Sequence, residues 1–130
     1  MPTSGERNTP QRSGDFFTYP LDTGAKINKG AIVCLDAGLA KAGATGVGLF
    51  VPGIARESVD QTNGDQKVTV RRGHFKFNNS AAADELTAAD VGKECYLVDD
   101  ETVAKTDGGG TRSVAAIVHE IEGGKVWLEF

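Results

Sequence analysis

The chain is poor in the residues that build most chemical sites, with two cysteines, two histidines, one tryptophan and one methionine in 130 residues. The cysteines Cys34 and Cys95 and the histidines His74 and His119 form no CxxC or HxxxH pair, the local spacing on which zinc sites usually nucleate. A site using all four is arithmetically possible but has no such nucleus, so no metal site is expected. Each cysteine sits inside an apolar, strand-like run, which predicts buried free thiols in a reducing cytosol rather than a disulfide. No Gly-x-Ser-x-Gly is present, which removes the usual nucleophile elbow. Asp107-Gly108-Gly109-Gly110-Thr111 is glycine-rich, yet no Gly-Lys-Ser/Thr accompanies it and no helix pattern follows, so it reads as a hairpin loop rather than a phosphate cradle. Asp99-Asp100-Glu101 lacks the alternating oxygen ligands and central glycine of a calcium loop and reads as an acidic turn. No catalytic residue and no cofactor are expected, and the chain does not read as an enzyme.

Longer signals are missing too. No segment approaches the roughly 18 apolar residues of a membrane span, so no membrane partner is expected. Met1 to Pro20 is polar and has no apolar core of the kind a secretory signal needs. The net charge is −4, whereas a nucleic-acid surface is normally basic, so no nucleic-acid partner is expected either. Lys67, Arg71, Arg72 and Lys76 make a small basic patch, but Asp60 and Asp65 lie near it. It reads as a charged interface rim or a mixed solvated face.

What the chain does have is glycine, 17 residues of it, falling mostly between short apolar runs where turns and bulges need it. With 39% hydrophobic and 25% charged residues, the composition is globular, and the length suits one domain with a single core. The expected fold is all-β, a compact small β-barrel or β-sandwich-like domain with one short helix and an extended N-terminal arm. Residues 1–28 are the arm and residues 29–130 the β-rich domain. The arm's first half holds turn formers and charges without an apolar period. Its second half concentrates Phe16, Phe17 and Tyr19. These rings either pack on the chain's own core, as an edge strand, or dock on a partner protein.

Within the domain, Ala31 to Leu35 is a continuous apolar run of strand length, turned by Asp36-Ala37-Gly38. Lys67 to Arg71 alternates with Val68 and Val70 inward, while His74 to Asn78 puts Phe75 and Phe77 inward. The parity flips between them, so Arg72-Gly73 must hold an extra residue or a turn, and a glycine bulge is expected. Ala81 to Gly92 is the helical candidate, with Thr87 able to cap, Asp90 three residues on and Gly92 to stop it. Val91 to Thr106 reads as a hairpin around the acidic turn.

At the C-terminus, Gly123-Gly124 as a two-residue turn sets Glu122 against Lys125 and Ile121 against Val126. Carried along, that register places Ile117, Ile121, Val126, Leu128 and Phe130 on the core face. His119 falls opposite Leu128 as a core histidine. Glu120 and Trp127 pair on the other face, beside Val118 and Glu129. His74 is expected to be solvated.

Several phrases of this chain are familiar together. Lys29-Gly30-Ala31-Ile32-Val33 opens the domain, Val68 to Asn78 runs through its middle, and Ala89-Asp90-Val91-Gly92-Lys93 leads into Cys95 to Ala104. Gly110-Thr111-Arg112-Ser113-Val114-Ala115 precedes the final Val126-Trp127-Leu128. Over residues 27–130 this resembles the capsid cement, or decoration, proteins of tailed bacteriophages. The resemblance implies a compact β-domain, made in the bacterial host cytoplasm, that sits as a homotrimer on the outer surface of the virion head and clamps the major capsid protein after expansion. It also implies an N-terminal arm that orders on the capsid. No residue-level binding motif carries over, so the contact residues are physical expectations: Phe16, Phe17 and Tyr19 on the capsid, with Trp127, Arg71 and Arg72 at a subunit or capsid interface. The rival readings are a virion-displayed module that binds glycans or host cells through surface aromatics, and a small metal-assisted enzyme.

Overall fold

Ile32 to Leu35 are buried on both sides, which explains why that run is apolar without alternation. The computed structural model describes residues 1–10 and 14–130; Gln11, Arg12 and Ser13 of the expected arm lie outside the described residues. In chain order the strands are β1 (Phe16–Pro20), β2 (Lys26–Ile27), β3 (Ile32–Asp36), β4 (Leu39–Ala42), β5 (Phe50–Ala55) and β6 (Val59–Asp60). They continue as β7 (Lys67–Arg71), β8 (His74–Asn78), β9 (Glu94–Leu97), β10 (Val103–Ala104), β11 (Val114–Glu122) and β12 (Lys125–Glu129). One five-stranded sheet has the order β1-β7-β5-β3-β4, a second the order β10-β9-β11-β12-β8, and β2 pairs with β6 in a third. The fold is all-β. The first sheet curls until Leu21, just past β1, bridges Ala40 of β4, but no barrel closes.

The core has two parts, one on each side of the first sheet. Ile32, Cys34, Val51 and Ile54 from that sheet meet Phe77, Cys95, Leu97, Val118, Val126 and Leu128 from the second. On the opposite side, Val33, Leu35, Val68 and Val70 pack with Leu21, Ile27 and Val59. Both cysteines are buried and free, and burial pushes the Cys95 thiol up to about 12. The loop after β4 knits the two layers. The Thr45 hydroxyl donates to the Val98 carbonyl at 2.8 Å, and the Ser113 hydroxyl donates to the Gly46 carbonyl at 2.8 Å while accepting from the Leu49 N–H at 3.0 Å.

The parity flip at Arg72-Gly73 is real, but its cause is a change of sheet and not the expected glycine bulge. β7 ends in the first sheet and β8 begins in the second, so the two residues form the corner between layers. The hairpin around the acidic turn forms as expected, with Val103 against Leu97 and Ala104 against Tyr96. The helical candidate resolves into two 3-10 turns, Ala82–Asp84 and Ala88–Asp90, and a third such turn spans Gln61–Asn63. Between the first two, Leu86 dips into the core, pinned through both its backbone groups by the Asn79 side chain at 2.9 Å each. Burying Leu86 requires an extended Glu85, which breaks the helix. Thr87 and Asp90 still make a cap, the Thr87 N–H donating to the carboxylate at 2.8 Å.

The C-terminal hairpin corrects one expectation. Glu122 faces Lys125, Ile121 faces Val126 and Glu120 faces Trp127, but the register then shifts at a β-bulge. His119 is the extra residue. Val118, not His119, sits opposite Leu128 and is fully buried, while Ile117 turns outward, 38% exposed. The apolar face is served better this way, because the bulge puts a valine rather than an imidazole in the core.

Candidate functional site

Phe16, Phe17, Tyr19 and the residues after them are built into the first sheet. β1 pairs along its length with β7, setting Phe16 against Arg71, Phe17 against Val70 and Tyr19 against Val68. Alternation divides the three rings. Phe17 and Tyr19 are half-buried on the side facing the domain, where Tyr19 packs against the second part of the core. Phe16 points outward and is 45% exposed. β1 is an edge strand that ends in Pro20, a residue sheets tolerate at edges because it has no N–H to donate. Residues 1–10 are exposed and belong to no strand.

The sheet brings expected arm and expected interface together. The Arg56 guanidinium stacks over the Phe16 ring at 4.8 Å, and the neighbouring Arg71 lies 5.7 Å from the Phe75 ring. Arg72, at the corner between sheets, is exposed and holds the chain just before β1 through its N–H, which donates to the Asp15 carbonyl at 2.9 Å. The result is a cationic and aromatic corner made from β1, β7, β8 and Arg56, the residue just after β5. Exposed cation–π contacts of this kind are worth about 0.5–1 kcal/mol each, enough to orient a side chain. Sequence reasoning named Phe16, Arg71 and Arg72 but missed Arg56. Its partnership depends on β5 and β1 both flanking β7, which no local signal announces.

Trp127 stands apart from this corner on the second sheet. It lies between Lys76 of β8 and Glu120 of β11, half-buried on the outward face. The Lys76 ammonium is 5.8 Å from the ring and 3.5 Å from the Glu122 carboxylate, so the ring has a charged frame. A polar cleft of about 470 Å³ opens near the far end of β8, lined by Asn28, Lys29, Lys76, Asn78, Asp100 and Glu101. Its charges balance, and its lining contains no histidine, cysteine or serine among the described residues.

The four cysteine and histidine residues weighed as zinc ligands separate into two groups. Cys34 and Cys95 are in the core between the sheets. His74 and His119 are exposed and meet on the outer face of the second sheet, with ring centroids 4.7 Å apart. Glu129 joins them, its carboxylate 4.0 Å from the His74 Nε2. The sequence placed His74 and Glu129 outward but His119 in the core; the bulge moves it to its two neighbours.

Comparison of the chain with protein-family models, with curated proteins and with solved structures finds no match in any of the three.

Proposed function

We propose that this chain is a capsid cement protein that binds the outer surface of a tailed-phage head as a trimer and stabilises the expanded lattice of major capsid protein. The reading rests on the resemblance of residues 27–130. The observation that carries it furthest is the edge strand β1, which presents Phe16 outward among Arg56, Arg71 and Arg72, with exposed residues leading up to it. An edge strand with an anchored aromatic and a cationic rim suits a protein partner of acidic or aromatic surface. One such contact is weak. About half of Phe16 is already covered, so burying the remainder contributes on the order of 1 kcal/mol. A trimer presents three corners to a three-fold lattice site, and once the first docks the others bind intramolecularly. Attachment then comes from multiplicity. Trp127, half-buried in its charged frame, supplies a second apolar contact at a subunit or capsid boundary.

The test is co-sedimentation of the purified protein with expanded heads. Wild-type protein should saturate the heads at a fixed ratio, and a mass measurement should give three copies per particle. Phe16→Ala and removal of residues 2–10 should each lower occupancy, while the circular dichroism stays unchanged. Undiminished binding by both variants rejects the β1 corner as the contact. Folded protein that ignores heads yet binds cells or polysaccharide supports the display module instead.

A further inference from the structure

His74, His119 and Glu129 come from three adjacent strands, β8, β11 and β12. Glu129 pairs with His74 on one side and with Ile117 on the other, and the bulge swings His119 out beside them. One donor atom from each residue lies within 4.8 Å of the other two. From this geometry we infer that the outer face of the second sheet carries a binding site for a borderline divalent cation such as zinc, formed by two imidazoles and one carboxylate.

The ligand chemistry selects the class of ion. Imidazole nitrogen suits zinc, cobalt, nickel and copper, whereas magnesium and calcium take oxygen ligands. Zinc bonds of about 2.0–2.2 Å put tetrahedral donors roughly 3.4 Å apart. The three side chains must therefore draw together by about 1 Å at their tips. All three are exposed, so this needs only rotation of surface torsions over a backbone that the sheet already fixes. Water completes the coordination. The consequence is mechanical. β8 is an edge strand, and Glu129 and Ile117 lie at the open end of the β11–β12 hairpin, away from its Gly123-Gly124 turn. A bound ion ties that end to β8, directly above the place where Phe130 packs on Phe75 and Phe77. An ion that binds only the folded chain raises its stability by mass action. The inference is independent of capsid binding and needs only the isolated protein.

Metal-free full-length protein is titrated with Co²⁺, with Zn²⁺ and with Mg²⁺. Trp127 reports the event, because it is the only tryptophan and lies two residues before Glu129 on the same strand face, about 6–7 Å away along the chain. Co²⁺ should quench its emission saturably at one ion per chain, Zn²⁺ should displace the cobalt and restore the signal, and Mg²⁺ should do neither. Zinc should also raise the melting temperature. His119→Ala and Glu129→Gln should each weaken cobalt binding about tenfold or more with an unchanged circular dichroism spectrum. Quenching that fails to saturate in the folded wild type would overturn the site. Equal affinity after His119→Ala would also overturn it, by moving the ion to another group such as Asp60 and Asp65.

Discussion

A Cβ atom built on Gly53 would lie 2.3 Å from the carbonyl oxygen of Arg71. The two residues sit side by side in the first sheet, where β5 pairs with the end of β7 and Ile54 lies opposite Arg71. Gly53 holds φ at +152°, a conformation that side chains rarely adopt. In the sequence Pro52-Gly53 reads as a break after Val47 to Val51, with Gly53 marking a bend or a close backbone approach. The structure shows the close approach within one continuous strand, β5.

Gly53→Ala should therefore destabilise the domain well beyond an exposed glycine-to-alanine change. The backbone strain alone is about 1–3 kcal/mol, and the clash with Arg71 adds to it. Urea unfolding of Gly53→Ala beside Gly24→Ala, which meets no atom within 4 Å, separates steric contact from positive φ. Equal losses in the two variants would mean that the close approach is relieved without cost.

The bulge at His119 makes a prediction that the unbroken register would reverse. Val118→Ala should cost about 2 kcal/mol, because Val118 is fully buried against Leu128. Ile117→Ala, the larger deletion, should cost well under about 1 kcal/mol, because Ile117 points outward. Chemical denaturation measures both, and the opposite order would restore Ile117 to the core.

The bulge also marks the boundary of what the residues disclose. Alternation showed the inward pairs Val68/Val70 and Phe75/Phe77, and glycine pairs showed the C-terminal turn, because both follow from local backbone geometry. The continuous apolar run Ala31 to Leu35 is legible as a strand; that both faces of Ile32 to Leu35 are covered is not, since that depends on β2 and β6 returning over the first sheet. A bulge has no composition signal when the extra residue is a histidine, so the cluster of His74, His119 and Glu129 was invisible. The helix over 81–92 failed for a tertiary reason, the burial of Leu86. The corner of Phe16, Arg56 and Arg71 was half-legible: its residue types stood out, and their meeting required the order β1-β7-β5.

Acid should weaken the fold through three carboxylates. The Thr62 hydroxyl lowers the pKa of Asp60, the Thr106 hydroxyl that of Asp84, and the Thr87 N–H that of Asp90. Asp84 also holds Arg112 at 3.3 Å, and buried Asp90 faces Lys105 at 3.9 Å. Each folded-state pKa lies below the unfolded value near 4, so the unfolded chain takes up protons first as pH falls. The stabilisation is complete above about pH 5 and is lost through pH 4 and below. Urea midpoints should be flat from pH 7 to pH 5 and then drop. Asp90→Ala should be less stable at pH 7 and show a shallower acid slope. A slope unchanged from wild type would remove Asp90 from the set.

The β3–β4 hairpin offers a gain in stability. Asp36 pairs with Leu39, so Ala37 and Gly38 are its two loop residues, with φ at +51° and +85°. Positive φ at both positions is the pattern of a type I′ turn, which favours Asn-Gly. Gly38 meets the demand without strain. Ala37 does not, because its Cβ crowds the following carbonyl in the left-handed region, at a cost of about 1–2 kcal/mol. Ala37 is exposed, so replacing it disturbs no packing. Ala37→Asn should therefore stabilise the domain by about 0.5–1 kcal/mol, because asparagine tolerates this conformation better than alanine does. Ala37→Gly should gain less, since its greater freedom in the unfolded chain offsets part of the relief. The order Asn above Gly above Ala in denaturation midpoint is the expected result. Loss of stability in Ala37→Asn would show that the turn does not hold this residue in the left-handed region.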